Sequence, residues 1–180
     1  MDKLHEKTKS SEVILNGRFL KVWRDIVELP DGHTSFREYI KHPGAACVVP
    51  VLDNGNLILV RQFRYSVKQV FYEFPAGKRD SKESTLETAH RELEEEVGFQ
   101  ASQMDFLTKI HPVIGYSNEE IDLYLATGLK KTQQRLDPGE KLEVIEMSPQ
   151  ELKNLIFQGQ VSDVKTQIAA FWYFDRNPVK

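Results

Sequence analysis

Residues Gly77–Phe99 read GKRDSKESTLETAHRELEEEVGF, and this order predicts a loop running into an amphipathic helix. Ser84 to Val97 has helical spacing, and Gly98 stops it, because glycine accepts the left-handed backbone that ends many helices. At about 100° per residue, Leu86, Ala89, Leu93 and Val97 fall within about 80° of one another and form a stripe that faces a core. Glu92 and Glu96, four apart, share the flank of that stripe. Glu95 lies farther round, and Glu94 points elsewhere, near Glu87. A charge run is ordinarily a solvated face. Here, however, like charges at i and i+4 destabilise the helix by roughly a few tenths of a kcal/mol. Acidic groups near a helix C-terminus also oppose the macrodipole. A bound cation removes both penalties, and carboxylate oxygens around a partly hydrated site suit Mg²⁺ or Mn²⁺ better than zinc.

Outward from this helix, the chain reads mostly as strands. Residues 1–11 read as a loose start. Val13 to Glu28 roughly alternates apolar and polar residues, Leu29-Pro30-Asp31-Gly32 supplies turn chemistry, and Thr34 to Ile40 returns, giving an N-terminal hairpin. A second hairpin runs from Ala45–Leu52 through the turn Asp53-Asn54-Gly55-Asn56 to Leu57–Phe63. Val70–Phe74 is a short strand stopped by Pro75-Ala76-Gly77. Further strands are expected at Phe106–Val113, Ile121–Leu129 and Leu142–Met147. Ser148-Pro149-Gln150-Glu151 signals a helix start, with serine as cap and proline at the first helical position. A last helix runs from about Asp163 to Phe174. Many strands with three helices, without repeated βαβ units, imply an α+β fold: a mixed sheet flanked by helices, with an N-terminal hairpin extension.

The 180 residues, 40% hydrophobic and 28% charged, suit one compact domain with a sizeable core and a short extra element. A net charge of −3 leaves no footprint for nucleic acid or a membrane surface. The single cysteine, Cys47, sits in an apolar run and reads as a buried thiol rather than a metal ligand. The polar start is no signal peptide, and no stretch approaches membrane-spanning length, so a cytoplasmic protein is expected.

Gly77, five residues, Glu83, seven residues, then Arg91-Glu92-Leu93-Glu94-Glu95-Glu96-Val97-Gly98-Phe99 resembles the Nudix box at each of its nine defined positions. The resemblance implies a loop–helix–loop that presents Mg²⁺ ligands to a diphosphate attacked by water, with Mn²⁺ able to substitute. On that reading Glu92 and Glu96 are the main carboxylate ligands and Glu95 shares or assists. The Ala76 carbonyl just before the box is a further ligand. Arg91 pairs with Glu83 to hold the helix to the preceding loop, and Gly77 and Gly98 are structural positions of the motif.

The surroundings are similar to the ADP-ribose pyrophosphatase and nucleotide-sugar branch of that family. They include Arg61-Gln62-Phe63-Arg64-Tyr65, Tyr72-Glu73-Phe74-Pro75-Ala76-Gly77, Arg37-Glu38-Tyr39, His42-Pro43-Gly44-Ala45 and Gly115-Tyr116-Ser117-Asn118-Glu119-Glu120. One departure stands out. Ile114-Gly115 replaces the proline–glycine usual in ADP-ribose pyrophosphatases, with Pro112 two positions earlier.

The branch implies ADP-ribose as substrate, a nucleoside diphosphate sugar cleaved to AMP and ribose 5-phosphate. Another nucleotide sugar such as GDP-mannose is the alternative, and a non-catalytic nucleotide-binding module a third reading. Arginine suits phosphate because its planar fork donates in parallel pairs. Arg64, with Arg37 or Arg61, is the candidate, a surface ion pair being the competing explanation for Arg61. A general base is expected from the acidic loop Asp137–Glu143: Glu140, with Glu143 second and Glu95 also weighed. Glu119 is a candidate for the terminal ribose hydroxyls, and Phe19 or Trp23 for adenine stacking. Residues 1–42 resemble the strands through which this branch forms homodimers, leaving 43–180 as the hydrolase domain.

Overall fold

The computed structural model describes residues 3–178. The described residues separate into two compact units, one comprising residues 3–43 with 113–120 and the other residues 44–112 with 121–178.

The first unit is an antiparallel sheet of β1 (Lys7–Asn16), β2 (Lys21–Glu28) and β3 (Thr34–Ile40), in that spatial order. The expected hairpin is present; the end of β1, residues 13–16, lies in the stretch read as strands, and its start, from Lys7, lies in the expected loose start. Every residue of β1 is exposed, so its first half carries no two-residue alternation to betray it. What holds it is backbone pairing to β2 together with cross-strand ion pairs such as Lys9–Glu28 at 2.6 Å. Arg24 of β2 likewise pairs with Glu38 of β3. Residues 113–120 join the unit through Ile40, whose N–H donates to the Tyr116 carbonyl at 2.8 Å, and through the His42 N–H, which donates to Asn118 Oδ1 at 2.7 Å.

In the second unit β4 (Ala45–Pro50) and β5 (Leu57–Arg64) supply the centre. One sheet has the order β7 (Ala76–Lys78), β4, β9 (Ile121–Lys131), β8 (Phe99–Ile110), with β4 and β9 parallel and the other pairs antiparallel. The other has the order β10 (Leu142–Met147), β5, β6 (Gln69–Glu73), all antiparallel. Both faces of β4 are covered. Ala46 and Val48 pack with Ile58, Val60 and the Ala89, Leu93 and Val97 stripe of α1 (Thr85–Val97). Cys47 and Val49 pack with Leu57, Leu59 and residues of α2 (Pro149–Phe157) and α3 (Val164–Arg176), among them Leu152 and Ala169. Burial on both sides is why Ala45–Val49 reads as an unbroken apolar run, and it makes Cys47 a packing residue. Mixed sheets with three helices are the α+β arrangement expected.

The helix boundaries follow their caps. Ser84 and Glu87 form a reciprocal capping box at the start of α1, and Gly98 ends it at φ 71°. Ser148 and Asp163 cap α2 and α3. Three details depart from the sequence reading. Leu86, in the first turn of α1, is exposed rather than part of the stripe. Strand β8 spans Phe99–Ile110 instead of 106–113, because its polar first half pairs with the far end of β9. The Pro75-Ala76-Gly77 stop itself opens a short edge strand, β7, on β4.

Candidate active site

The site is built where α1 passes β7. The apolar stripe of α1 fixes the rotation of the helix, and that rotation carries Glu92 and Glu96 inward to 9% and 4% exposure. The Glu96 carboxylate accepts the Ala76 N–H at 2.9 Å. The neighbouring ladder explains why that donor is available. Val48 N–H donates to the Pro75 carbonyl and Arg79 N–H to the Gly44 carbonyl, so Ala76, opposite Cys47, occupies a position whose N–H and C=O both face away from β4. The Ala76 carbonyl therefore points to the same side as the Glu96 carboxylate. Next to it, Gly77 lies so close to Glu92 that a Cβ there would overlap the carboxylate. The glycine of the motif is a clearance for Glu92.

Arg91 is the hub of the surrounding ion pairs. Its Nε and Nη2 donate to the two oxygens of Glu83 at 2.8 and 3.0 Å, and Nη2 also reaches the Lys78 carbonyl at 3.1 Å. Its Nη1 donates to Glu92 at 2.7 Å and to Glu95 at 2.9 Å. The expected Arg91–Glu83 pair is thus present, and the guanidinium serves two further carboxylates. Glu83 is held down to about 2 by Arg91, helped by Thr88 and the Asp80 N–H.

The inward carboxylates behave oppositely. Burial pushes Glu92 up to about 7 against the pull of Arg91, with Glu95 and Glu140 adding to the rise. Burial and the charge of Glu92 push Glu96 up to about 8, the Ala76 N–H working against them. Two buried carboxylates that repel each other, beside an outward-facing carbonyl, form a set of hard oxygen donors in which, among the described residues, only Glu92 touches a cation, Arg91. Such a set fits a divalent cation of the Mg²⁺ type. Among the described residues no three His, Cys, Asp or Glu side chains converge into a closed metal cage. Glu92 and Glu95 share Arg91 Nη1, so the donors that could hold an ion are Glu92, Glu96 and the Ala76 carbonyl with Glu95 beside them, and water would fill the rest of an octahedral shell.

Glu140 lies in the turn closed by its N–H on the Asp137 carbonyl, its carboxylate 3.5 Å from Gln62 Nε2. Its charge acts on both Glu92 and Glu96, which brings the loop to the same locality. Glu143 is on β10, paired with Arg61 at 2.7 Å. Arg61 is accordingly in a surface ion pair. Arg64 is held by both oxygens of Glu73, each bond 2.6 Å, and its charge also acts on Glu96.

The remaining candidates belong to the first unit. Arg37 bonds Glu6 and the Phe36 carbonyl, and Glu119 stands 3.7 Å from the His42 ring nitrogen. Phe19 is exposed, whereas the Trp23 ring carries Lys41 Nζ 4.6 Å from its centroid. Glu73 and Lys165, both buried and ion-paired, were not singled out from sequence. The available signal was a lysine in the first turn of α3, where a cation opposes the helix dipole.

Known proteins match both parts of the chain. The NUDIX domain family matches residues 41–166, and the nucleoside diphosphate sugar hydrolase N-terminal domain matches residues 6–40. The solved structure of an ADP compounds hydrolase superposes with a TM-score of 0.85 at 24% identity, covering 96% of this chain and 95% of that one, which establishes the shared fold. The methanol dehydrogenase activator of Bacillus methanolicus is 40% identical over 166 residues, 91% of this chain and 90% of that protein. The ADP-ribose pyrophosphatase of Bacillus subtilis (strain 168) is 37% identical over 171 residues, 94% of this chain and 92% of that protein. Fold and site together define a hydrolase whose glutamate-rich helix packs on a mixed sheet. The chain belongs to the Nudix family and is a Nudix hydrolase.

Proposed function

We propose that this hydrolase cleaves the diphosphate of ADP-ribose to AMP and ribose 5-phosphate, with Mg²⁺ as its ion and Mn²⁺ as a substitute. The observation that carries the reading is the buried pair Glu92 and Glu96 set against the Ala76–Gly77 backbone. The substrate is argued from the Bacillus subtilis relative and from an ADP-ribose pyrophosphatase of Mycobacterium tuberculosis, 40% identical over 69% of this chain.

Glu92, Glu96 and the Ala76 carbonyl hold the ion, and Glu95 assists from beside Arg91. When bound, the ion neutralises the diphosphate and acidifies water. Glu140 accepts a proton from the attacking water, and Gln62 orients its carboxylate. Arg64 contributes a guanidinium to a phosphate oxygen. Arg37 and Glu119, in the first unit, are further candidates, for phosphate and for ribose hydroxyls. The glutamate set and Arg91 favour catalysis over a purely binding role, since a binder has no use for repelling buried carboxylates.

Two copies of the chain pair through the N-terminal sheet, where Val13, Leu15, Phe19 and Phe36 are exposed; an apolar surface of this kind is characteristic of interfaces. The named activator from Bacillus methanolicus supports a second reading, in which the chain acts upon another enzyme.

The test is a panel of ADP-ribose, ADP-glucose, GDP-mannose, FAD and NADH incubated with enzyme and Mg²⁺, with products identified. ADP-ribose is expected to show the highest kcat/KM and to yield AMP. Preference for GDP-mannose refutes the substrate assignment. Absence of turnover on all five favours the second reading.

A further inference from the structure

A buried ion cluster lies behind Arg64. Glu73, at the end of β6, is 2% exposed and Lys165 9%. Lys165 Nζ donates to Glu73 and, at 3.0 Å, to Asp163. Glu73 receives Lys165 from one side and the Arg64 fork from the other. Arg64 is the partly exposed member of the cluster, its side chain at 44% against 3% for Glu73. The backbone is fixed in the same place. Thr166 Oγ1 accepts the Phe74 N–H at 2.9 Å, and two residues on, Ala76 N–H is bound by Glu96.

Lys165 is placed against two gradients at once. Burial disfavours an ammonium, and the first turn of a helix presents a positive end that repels it. The start of α3 needs no cation of its own, because Asp163 caps it through the Thr166 N–H at 3.0 Å. The counter-charge is needed by Glu73. With Lys165 present, two carboxylates and two cations sum to zero. Without it, Glu73 and Asp163 are left with Arg64 alone, and the cluster turns net negative on the side from which a diphosphate would be met.

We propose that Lys165 is a positioning residue that acts through Arg64, neutralising Glu73 from the buried side so that the guanidinium remains available to the substrate's phosphate. The inference rests on the reading of Arg64 as a phosphate ligand. It extends the substrate-recognition apparatus to α3, a helix outside the glutamate motif. Glu73 is the pivot: it fixes where the guanidinium stands, and Lys165 fixes how strongly Glu73 draws it down.

The test is a charge series read in KM, using whichever panel substrate the wild-type enzyme cleaves. Lys165→Met keeps an unbranched, flexible stem without the ammonium and makes the cluster net negative. It is expected to raise KM about tenfold with kcat within about twofold. Adding Asp163→Asn, which preserves the cap, restores neutrality and is expected to return KM to within about threefold of wild type. Asp163→Asn alone makes the cluster net positive and is expected to lower KM. This last variant also carries the test if Lys165→Met does not fold.

A KM that ignores the charge of the cluster overturns the inference, even if melting temperatures shift. Arg64→Ala separates the two claims. Unchanged KM in that variant removes Arg64 from the substrate site. A raised KM there, together with a flat charge series, leaves Arg64 in place and refutes the role of Lys165.

Discussion

The carboxylate of Glu96 accepts the backbone N–H of Ala76 at 2.9 Å. This one bond ties the last turn of α1 to an edge strand twenty residues earlier in sequence. It fixes a side-chain oxygen and a backbone carbonyl on the same side of β7, and the predictions below depend on that juxtaposition.

Replacing Glu96 by Gln keeps its shape and an acceptor for Ala76 while removing the charge. Turnover is expected to fall at least about a hundredfold at limiting Mg²⁺. The metal-free melting temperature should hold or rise, because a neutral amide is easier to bury than a carboxylate. Steady-state kinetics and thermal melts of the same preparation check both. Near-wild-type turnover would remove Glu96 from the metal set.

Stability without metal should decline with rising pH. Burial foremost pushes Glu92 up to about 7 and Glu96 up to about 8. Between the ordinary carboxylate range and those values, the folded protein holds protons that the unfolded chain has released. By linkage, stability is therefore lost as pH rises through this window. An ion that binds the deprotonated pair reverses the trend. In EDTA the melting temperature is expected to be lower at about pH 8.5 than at about pH 6, and the gain on adding Mg²⁺ should be larger at the higher pH. A metal-free protein that becomes more stable over that range contradicts the assignment of these groups as a buried, mutually repelling pair.

Gly77→Ala places a methyl group where the Glu92 carboxylate lies. The carboxylate must move, so Mn²⁺ affinity is expected to weaken by about tenfold or more, with secondary structure intact. Titration followed by electron paramagnetic resonance measures it. An unchanged affinity would show that Glu92 can leave its position without cost to the ion.

Glu140→Gln should lower kcat by about a hundredfold or more and leave KM within about threefold, as expected for loss of a proton acceptor. An unaltered kcat moves the base to Glu143 or Glu95. Glu143 is the weaker rival, being committed to Arg61 at the surface.

The second unit was largely legible in the sequence because its core alternates or runs unbroken where the physics requires. Ala45–Val49 announces a buried strand by its unbroken apolar run, and Gly98 and Ser148-Pro149 announce helix ends through local chemistry. The first half of β1, residues 7–12, was not legible: its side chains are all exposed, and hydrophobic patterning marks only what is buried. The inward turn of Glu92 and Glu96 followed from the stripe of α1. What the sequence did not disclose was the pairing of residues far apart, Glu73 with Lys165 and Arg61 with Glu143. Such partners are chosen by strand register and helix docking, and no local spacing encodes them. Arg64 shows the consequence: sequence suggested a phosphate ligand, while its attachment to a buried carboxylate appears only in three dimensions.

The most direct measurement is the crystal structure of the enzyme with Mn²⁺ and a non-hydrolysable ADP-ribose analogue, with the ion located by anomalous scattering. The account predicts an anomalous peak coordinated by Glu92, Glu96 and the Ala76 carbonyl and shared with a phosphate oxygen. A bound analogue accompanied by bare Glu92 and Glu96 side chains, or an ion held elsewhere, would contradict it.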